Sequence, residues 1–156
     1  MIKLYKKLED GTINYWENWF PNDDTAYIHW GVIGDVGLKK EIRGSKATTE
    51  VKKEMTQKVS EGYLPIKDED INRLIVEYKI EDMGDSIDLE KRQKLESLLK
   101  ELLGWTGLGD CDGGSMGNGT MEVCCFVVDY EVSKKVVEEK LKSTEFSDYV
   151  RIYLEE

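Results

Sequence analysis

Apolar and polar side chains alternate with a period of two in the first third of the chain, and this pattern predicts β-strands. Residues 2–8 alternate apolar and basic side chains, residues 12–20 are rich in aromatic residues, and residues 27–32 alternate again. Two glycines then supply the backbone freedom that a tight reversal needs, so a return strand is predicted over residues 38–42. The resulting hairpin is the centre of the first half of the chain.

The pattern becomes helical after the hairpin. Apolar residues recur four positions apart, at Val51, Met55 and Val59. Thr48 is expected to cap the N-terminus of this helix, and Gly62 suits the position just after its C-terminus. The first part of the chain is therefore predicted to be an antiparallel sheet with one packed helix.

A polar stretch opened by a proline, residues 65–70, is the predicted linker to a second domain. Beyond it, residues 73–80 alternate as a strand, and a helix with a leucine stripe follows, capped by Asp85 or Ser86. Residues 120–129 are nearly all apolar, as in a central strand. A second helix and an alternating final strand complete the pattern.

These elements predict an α+β protein with two domains, over residues 1–66 and residues 71–156. The second domain has the order of a ferredoxin-like βα(β)βαβ unit, whose bracketed strand is expected to be short and hidden in the glycine-rich segment 104–119. That segment holds seven of the fourteen glycines and is interpreted as a structured loop. It leaves a helix and enters a strand and contains no lysine, unlike a phosphate-binding loop, and its acidic residues lack EF-hand spacing.

Charge is distributed unevenly along the chain. Residues 1–66 contain ten Lys/Arg and ten Asp/Glu, whereas residues 67–156 contain twelve and twenty-two, so the whole net charge of −10 lies in the second part. Such an acidic domain repels phosphate backbones. Its charge is interpreted first as a solvated surface that keeps the protein soluble, and a partner with a basic surface is the alternative. Three cysteines make no disulfide framework, and no apolar run approaches the ~20 residues that span a bilayer. A reduced, cytoplasmic protein without membrane attachment is expected.

The first domain resembles the WGR domain, a family named for its Trp-Gly-Arg signature. Trp30 and Gly31 match the signature, Val32 stands where the arginine belongs, and strands followed by a helix ending in Gly62-Tyr63 agree with the family order. In WGR domains of poly(ADP-ribose) polymerases the Trp contacts sugar and the Arg contacts phosphate at DNA ends. The resemblance implies a recognition module in which only the tryptophan is carried over.

Five residues are candidates for binding: Trp30, Gly31, Lys39, Lys40 and Arg43. The three basic ones follow the signature and would partly replace its missing arginine, although Asp35 and Glu41 stand among them. A packing role for Trp30 is favoured over ligand contact. The leading interpretation is a non-catalytic module that binds a protein partner. The alternatives are nucleic-acid binding through the WGR-like half, which is disfavoured, and an acidic inhibitor or immunity-type protein.

Catalysis and cofactor binding have little support in the sequence. His29 is the single histidine, so neither a two-histidine metal site nor a histidine pair is available. A Cys-His nucleophile would have to join cysteines of one domain to a histidine of the other. No enzymatic activity, metal or cofactor is therefore expected, while a small hydrolase using the glycine-rich segment is the alternative. The oligomeric state stays open.

Overall fold

The computed structural model describes all 156 residues and divides them into two compact units, Met1–Lys67 and Asp68–Glu156. The division falls inside the stretch predicted as a linker. Each unit contains a four-stranded antiparallel sheet, and three helices complete the chain, which confirms the α+β class. None of these helices has the length and apolar character needed to cross a membrane.

The first unit is a four-stranded meander followed by one helix. Its elements are β1 (Ile2–Lys7), β2 (Ile13–Asn22), β3 (Thr25–Val32), β4 (Leu38–Arg43) and α1 (Ala47–Ser60). The strands lie in the sheet in their chain order. Because side chains alternate between the faces of a strand, Leu4, Trp16 and Ile28 share the face that packs against Ala47 and Val51 of the helix. This face is the apolar core of the unit.

Helix α1 differs from its prediction at the N-terminus. Thr48 was expected to cap it, but the helix begins at Ala47, and Lys46 occupies the cap position without a side-chain hydrogen bond. Ala47 is fully buried in the core, so packing sets the start of the helix one residue before the polar cap candidate. At the other end, Gly62 has a φ of +98°, as expected for the residue after a helix. Val59, expected on the buried face, is 48% exposed.

The second unit opens with a short 3₁₀ turn and then alternates strands and helices. Its elements are β5 (Asn72–Lys79), α2 (Ser86–Trp105), β6 (Gly109–Gly117), β7 (Thr120–Val127), α3 (Tyr130–Lys142) and β8 (Arg151–Glu155). The sheet order is β6-β7-β5-β8, with every pairing antiparallel. The βαββαβ sequence with the first and third strands in the centre is the ferredoxin-like topology.

Helix α2 packs its leucine stripe against this sheet, with Leu95, Leu99 and Leu103 fully buried. Asp85 caps the helix, because its carboxylate accepts from the Ile87 and Asp88 backbone N–H groups. The Asp88 carboxylate in turn accepts from the Asp85 N–H group, which completes a capping box. Of the two cap candidates in the sequence, Asp85 is the residue used.

Most of the glycine-rich segment forms the edge strand that the order of elements predicted there; the strand is longer than expected, and the interpretation of the segment as a loop is wrong. Strand β6 is nine residues long and pairs with β7 along its length, apart from a register shift between Cys111 and Gly114. A Cβ atom at Gly114 would lie 2.1 Å from the Glu122 carbonyl oxygen, so the two backbones approach too closely for any side chain there. Asn118 and Gly119, both with positive φ, form the two-residue turn into β7. Glycine removes the alternating side-chain signal by which strands are recognised.

Candidate functional site: the β3–β4 hairpin

Four side chains form a row across the first sheet, on the face that carries α1. Leu4, Trp16, Trp30 and Leu38 lie opposite one another on β1 to β4. Leu4 and Trp16 are 3% and 1% exposed, Trp30 is partly buried, and Leu38 is 64% exposed. The row therefore begins in the apolar core at β1 and ends at the protein surface at β4. Val32 lies two residues beyond Trp30 on the same face and is also exposed. We call Trp30, Val32 and Leu38 the hairpin patch.

Gly31 of the signature pair lies on the opposite face, where the loop joining β3 to β4 folds back over the sheet. A Cβ atom on Gly31 would lie 2.9 Å from the Gly37 Cα and 3.2 Å from the Tyr15 hydroxyl. Gly37 itself has a φ of +69°, and a Cβ there would lie 2.2 Å from the Trp30 carbonyl oxygen. The two glycines therefore permit a backbone crossing that no larger residue would allow. Gly31 allows this close approach of the loop, while the Trp30 side chain lies on the opposite face, beside α1.

A buried polar network lies beneath this loop. His29, Glu17 and Tyr15 are 1%, 5% and 2% exposed. The His29 Nδ1 atom lies 2.7 Å from the Glu17 carboxylate, and its Nε2 atom lies 2.5 Å from the Val36 carbonyl oxygen. The Tyr15 hydroxyl lies 2.9 Å from the carbonyl oxygens of Asp35 and Val36, to which it donates, and 3.1 Å from His29 Nε2. Side chains of β2 and β3 thus hold the loop onto the sheet.

The network also defines its own protonation. A carbonyl oxygen only accepts, so His29 Nε2 must carry the hydrogen that it donates to Val36. On its other side the His29 Nδ1 atom meets the Glu17 carboxylate at 2.7 Å, and Lys3 adds a positive charge 3.4 Å from that carboxylate. Burial, and then the charge of Glu17, raises the pKa of the Tyr15 phenol, so its hydroxyl stays a donor. Both imidazole nitrogens are occupied by protein acceptors, and the arrangement is suited to fixing the loop.

The three basic candidates are all engaged by neighbouring side chains. Lys40 forms an ion pair with Glu54 of α1, and its ammonium lies 5.9 Å from the Trp30 ring centre. Arg43 donates to Glu41 at 2.6 Å. Lys39 is on the opposite face, with its ammonium 4.8 Å from the centre of the Tyr27 ring. The structure therefore does not gather these charges into one phosphate-binding patch: Lys40 lies on the face that carries α1, whereas Lys39 and Arg43 lie on the opposite face.

The aromatic residues of β2 and β3 are divided between environments. Trp16 is in the core, whereas Trp19 and Tyr27 lie on the loop-covered face with ring centres 5.4 Å apart. The Trp19 ring also meets the His29 ring edge-on at 6.4 Å, and so flanks the polar network. Phe20 is 43% exposed. The aromatics do not make one continuous exposed platform.

The second unit offers no catalytic cluster around its cysteines. All three thiols are free and buried. A hydrogen bond with Cys111, together with burial, raises the pKa of the Cys125 thiol far above its ordinary value, and burial raises that of Cys124. No group of three or more His, Cys, Asp and Glu side chains is placed to hold a metal ion. Asp110, one of the acidic residues of the glycine-rich segment, accepts from the Cys111 backbone N–H group.

Comparison with known proteins places the chain in no family. No protein-family model matches it, and neither a curated protein nor a solved structure matches it.

Sequence reasoning missed the Glu17–His29–Tyr15 network. A signal was present, because Tyr15 and Glu17 alternate on β2 as His29 and Gly31 do on β3. Register alone decides that Glu17 lies directly opposite His29, and Tyr15 opposite Gly31. A polar residue in an alternating strand is ordinarily assigned to solvent, and here the folded-back loop buries it.

Proposed function

We propose that this chain is a non-catalytic recognition module that binds a protein partner through the hairpin patch. The observation that carries the proposal is the exposure of apolar side chains in the hairpin patch. Trp30 is only partly buried, and Val32 and Leu38 beside it are 39% and 64% exposed. Apolar side chains gathered on one strand pair, next to a loop that hydrogen bonds hold onto the sheet, are typical of a protein-docking surface. In this patch Trp30 is the large aromatic anchor, and Val32 and Leu38 are the aliphatic residues that surround it.

The charges around the patch support a protein rather than a nucleic acid. Val32 provides no charge where the WGR signature has arginine, and Lys40 is neutralised by Glu54. Nucleic-acid binding depends on cations that release counterions from phosphates. The chain as a whole carries a charge of −10, which opposes that mechanism and favours a partner with a basic surface.

The chemistry of the buried groups supports a role without catalysis. The single histidine donates to a backbone carbonyl of the β3–β4 loop, and the Cys124 and Cys125 thiols are buried with raised pKa values. A general base or nucleophile must reach a substrate atom, and these groups have no such access. The module therefore acts by presenting a surface.

The test is affinity capture with a matched pair of variants. Leu38→Asp places a charge in the hairpin patch, whereas Val59→Asp places one at a similarly exposed apolar position of α1, outside the patch. A partner captured from cells that express the gene should bind the wild type and Val59→Asp but not Leu38→Asp. Calorimetry with the purified partner then measures the loss, expected to be at least about tenfold in Kd.

A partner that binds Leu38→Asp as tightly as the wild type would refute the patch as its docking site. Fluorescence anisotropy with nicked, blunt and single-stranded oligonucleotides at low salt tests the alternative. Sub-micromolar binding there that is weakened by Lys39→Glu/Lys40→Glu would replace the protein partner by nucleic acid. The association rate with a basic partner should fall as salt increases, because a Debye length of ~8 Å at physiological strength screens the acidic unit.

A further inference from the structure

The outer edge of β8 is an unpaired strand edge in the second unit. Strand β8 pairs with β5 on one side only and ends the sheet. The first unit covers one of its own edges, since Tyr5 of β1 exchanges two backbone hydrogen bonds with Leu64, of 2.8 and 2.9 Å. No such bridge covers β8. Uncovered edges present N–H and C=O groups that template pairing with another strand.

The residues of β8 make this edge complementary to itself. From Arg151 to Glu155 the strand reads basic, apolar, aromatic, apolar, acidic, in Arg-Ile-Tyr-Leu-Glu. In an antiparallel pair of two copies centred on Tyr153, Arg151 of each copy lies opposite Glu155 of the other, and Ile152 lies opposite Leu154. In strand β4 the corresponding pair of two copies centred on Lys40 brings two lysine ammonium groups opposite one another.

The backbone hydrogen-bond pattern agrees with that register. The Ile80 N–H group donates to Gly119 next to β7, and the Val150 N–H group donates to the Glu77 carbonyl oxygen. Even-numbered residues of β5 therefore direct their backbone groups towards β7, and odd-numbered residues direct theirs towards β8. The backbone N–H and C=O groups of Tyr153, which lies opposite Ile75, point towards β5. The backbone groups of Ile152 and Leu154 therefore point towards the open edge. The Ile152 carbonyl there has only a long contact of 3.5 Å from the Tyr130 hydroxyl.

We infer that the β8 edge pairs with the β8 edge of a second copy of this chain, in antiparallel register about Tyr153. Ile152 and Leu154 of each copy exchange backbone hydrogen bonds with Leu154 and Ile152 of the other, which extends two four-stranded sheets into one of eight strands. Leu154 and Val150, 41% and 57% exposed in the single chain, become partly covered.

The existing ion pairs fit into the same arrangement. Arg151 donates to Glu77 at 2.9 Å, and Arg73 pairs with Glu155, all on the sheet face opposite the helices. When Arg151 lies opposite Glu155 of the second copy, the two pairs join into one row of alternating charges: Glu77 and Arg151 of one copy, then Glu155 and Arg73 of the other. The two-fold symmetry of the dimer produces this row twice. The contact is a short strand pair, so a weak, concentration-dependent dimer is expected.

The test is sedimentation velocity of the full chain over concentrations from roughly 10 µM to 1 mM at physiological salt. The wild type should dimerise. Arg151→Glu alone places glutamate opposite glutamate, and Glu155→Arg alone places arginine opposite arginine, so each should raise Kd at least about tenfold. An equimolar mixture of the two variants places opposite charges together again and should form a heterodimer.

This restoration separates pairing from folding, because mixing repairs neither the Arg151–Glu77 nor the Arg73–Glu155 pair within a chain. Lys79→Glu, on the exposed face of β5 beyond the β8 register, is the matched charge change and should dimerise like the wild type. Leu154→Pro removes an outward N–H group, which an edge strand tolerates, and should abolish dimerisation while far-UV circular dichroism is retained.

Hydrogen exchange gives an independent measurement. Protection of the Ile152 and Leu154 amides should increase with protein concentration, whereas protection of the Tyr153 amide should not change. A wild type that stays monomeric over the whole range, or a dimer insensitive to the charge variants and to Leu154→Pro, would overturn the inference. The experiment is independent of the proposed partner, because it involves neither the hairpin patch nor the first unit.

Discussion

The two sheets use the face opposite their helices in different ways. In the first unit a loop folds over that face and buries Glu17, His29 and Tyr15. In the second unit the corresponding face carries ion pairs such as Arg151 with Glu77, whose arginine side chain is 58% exposed. Charged and polar groups on this sheet face are thus buried in the first unit, whereas in the second unit the arginine of the pair is exposed and its Glu77 partner is 12% exposed.

This difference shows that burial determines how much stability is lost when a polar contact is removed. Removing one partner from a buried pair leaves the other desolvated and unpaired, which is strongly destabilising. Removing one partner from an exposed pair returns the other to water at little cost. The buried network therefore belongs to the architecture of the hairpin, whereas the exposed pairs are available for contacts with another molecule.

The largest expected effect comes from removing the acid of the buried network. Glu17→Ala should lower the free energy of unfolding of the first unit by about 3–5 kcal/mol, because His29 loses its acceptor inside the sheet. Glu77→Ala, in the exposed pair, should cost less than about 1 kcal/mol. Urea unfolding measures both, and tryptophan fluorescence reports mainly on the first unit, which holds Trp16, Trp19 and Trp30. Equal losses for the two variants would contradict the comparison.

The next effect tests the loop that provides the burial. Gly37→Ala should destabilise the first unit by roughly 2–3 kcal/mol more than Gly11→Ala. Both glycines have positive φ, but a Cβ at Gly37 meets the Trp30 carbonyl and the Tyr15 hydroxyl, whereas a Cβ at Gly11 meets nothing within 4 Å. Both variants lose stability because alanine disfavours a positive φ, and only Gly37→Ala also introduces a steric clash. The difference between their thermal unfolding therefore measures the destabilisation that comes from the clash. If both lose the same stability, the close crossing is not required.

Two tyrosine hydroxyls give a smaller, matched contrast. Tyr15→Phe removes the donor that reaches the Asp35 and Val36 carbonyls and should cost about 1–3 kcal/mol. Tyr153→Phe removes a 2.7 Å hydrogen bond to Glu122 on the second sheet and should cost less than about 1 kcal/mol, because water replaces the phenol. Urea unfolding followed by circular dichroism compares them. A larger loss for Tyr153→Phe would reverse the ranking.

The smallest effect is in alkaline titration. The hydrogen bond to Glu122, followed by burial, raises the pKa of Tyr153 to about 12 from its ordinary value of 10.0. A raised pKa means that the folded state favours the neutral phenol, so this contribution to stability is complete below pH 10 and is lost as pH rises through about 12. Burial raises the pKa of Tyr15 as well, so Tyr15 should ionise only as the first unit unfolds.

Phenolate absorbance of the wild type minus that of Tyr153→Phe gives the Tyr153 titration directly. In Glu122→Gln the midpoint should move down towards 10, because the carboxylate no longer accepts the phenolic hydrogen or repels the phenolate. A Tyr153 that ionises near pH 10 in the wild type would show that the Glu122 hydrogen bond is absent in solution.

The fold class and most of the secondary-structure elements follow from the pattern of residues along the chain. Alternating residues on β1 to β3, the leucine stripe of α2 and the apolar run of β7 each have a period that one secondary structure satisfies. The break in the pattern near Pro65 indicated where one unit ends. The order of elements was then sufficient to predict a ferredoxin-like topology, because few arrangements of βαββαβ bury both helices on one sheet.

The roles of the glycines and of the polar strand residues depend on contacts between segments that are distant in the sequence. Strand β6 has too few side chains to show a period, and it is a strand because β7 offers it a complementary backbone. Gly31 is required by the approach of Gly37, which is six residues away in sequence. His29 and Glu17 meet through the register of β2 with β3, and their burial depends on a loop that folds over a face a strand pattern assigns to solvent. Long-range register and close backbone approach are properties of pairs of segments, and neither segment alone encodes them.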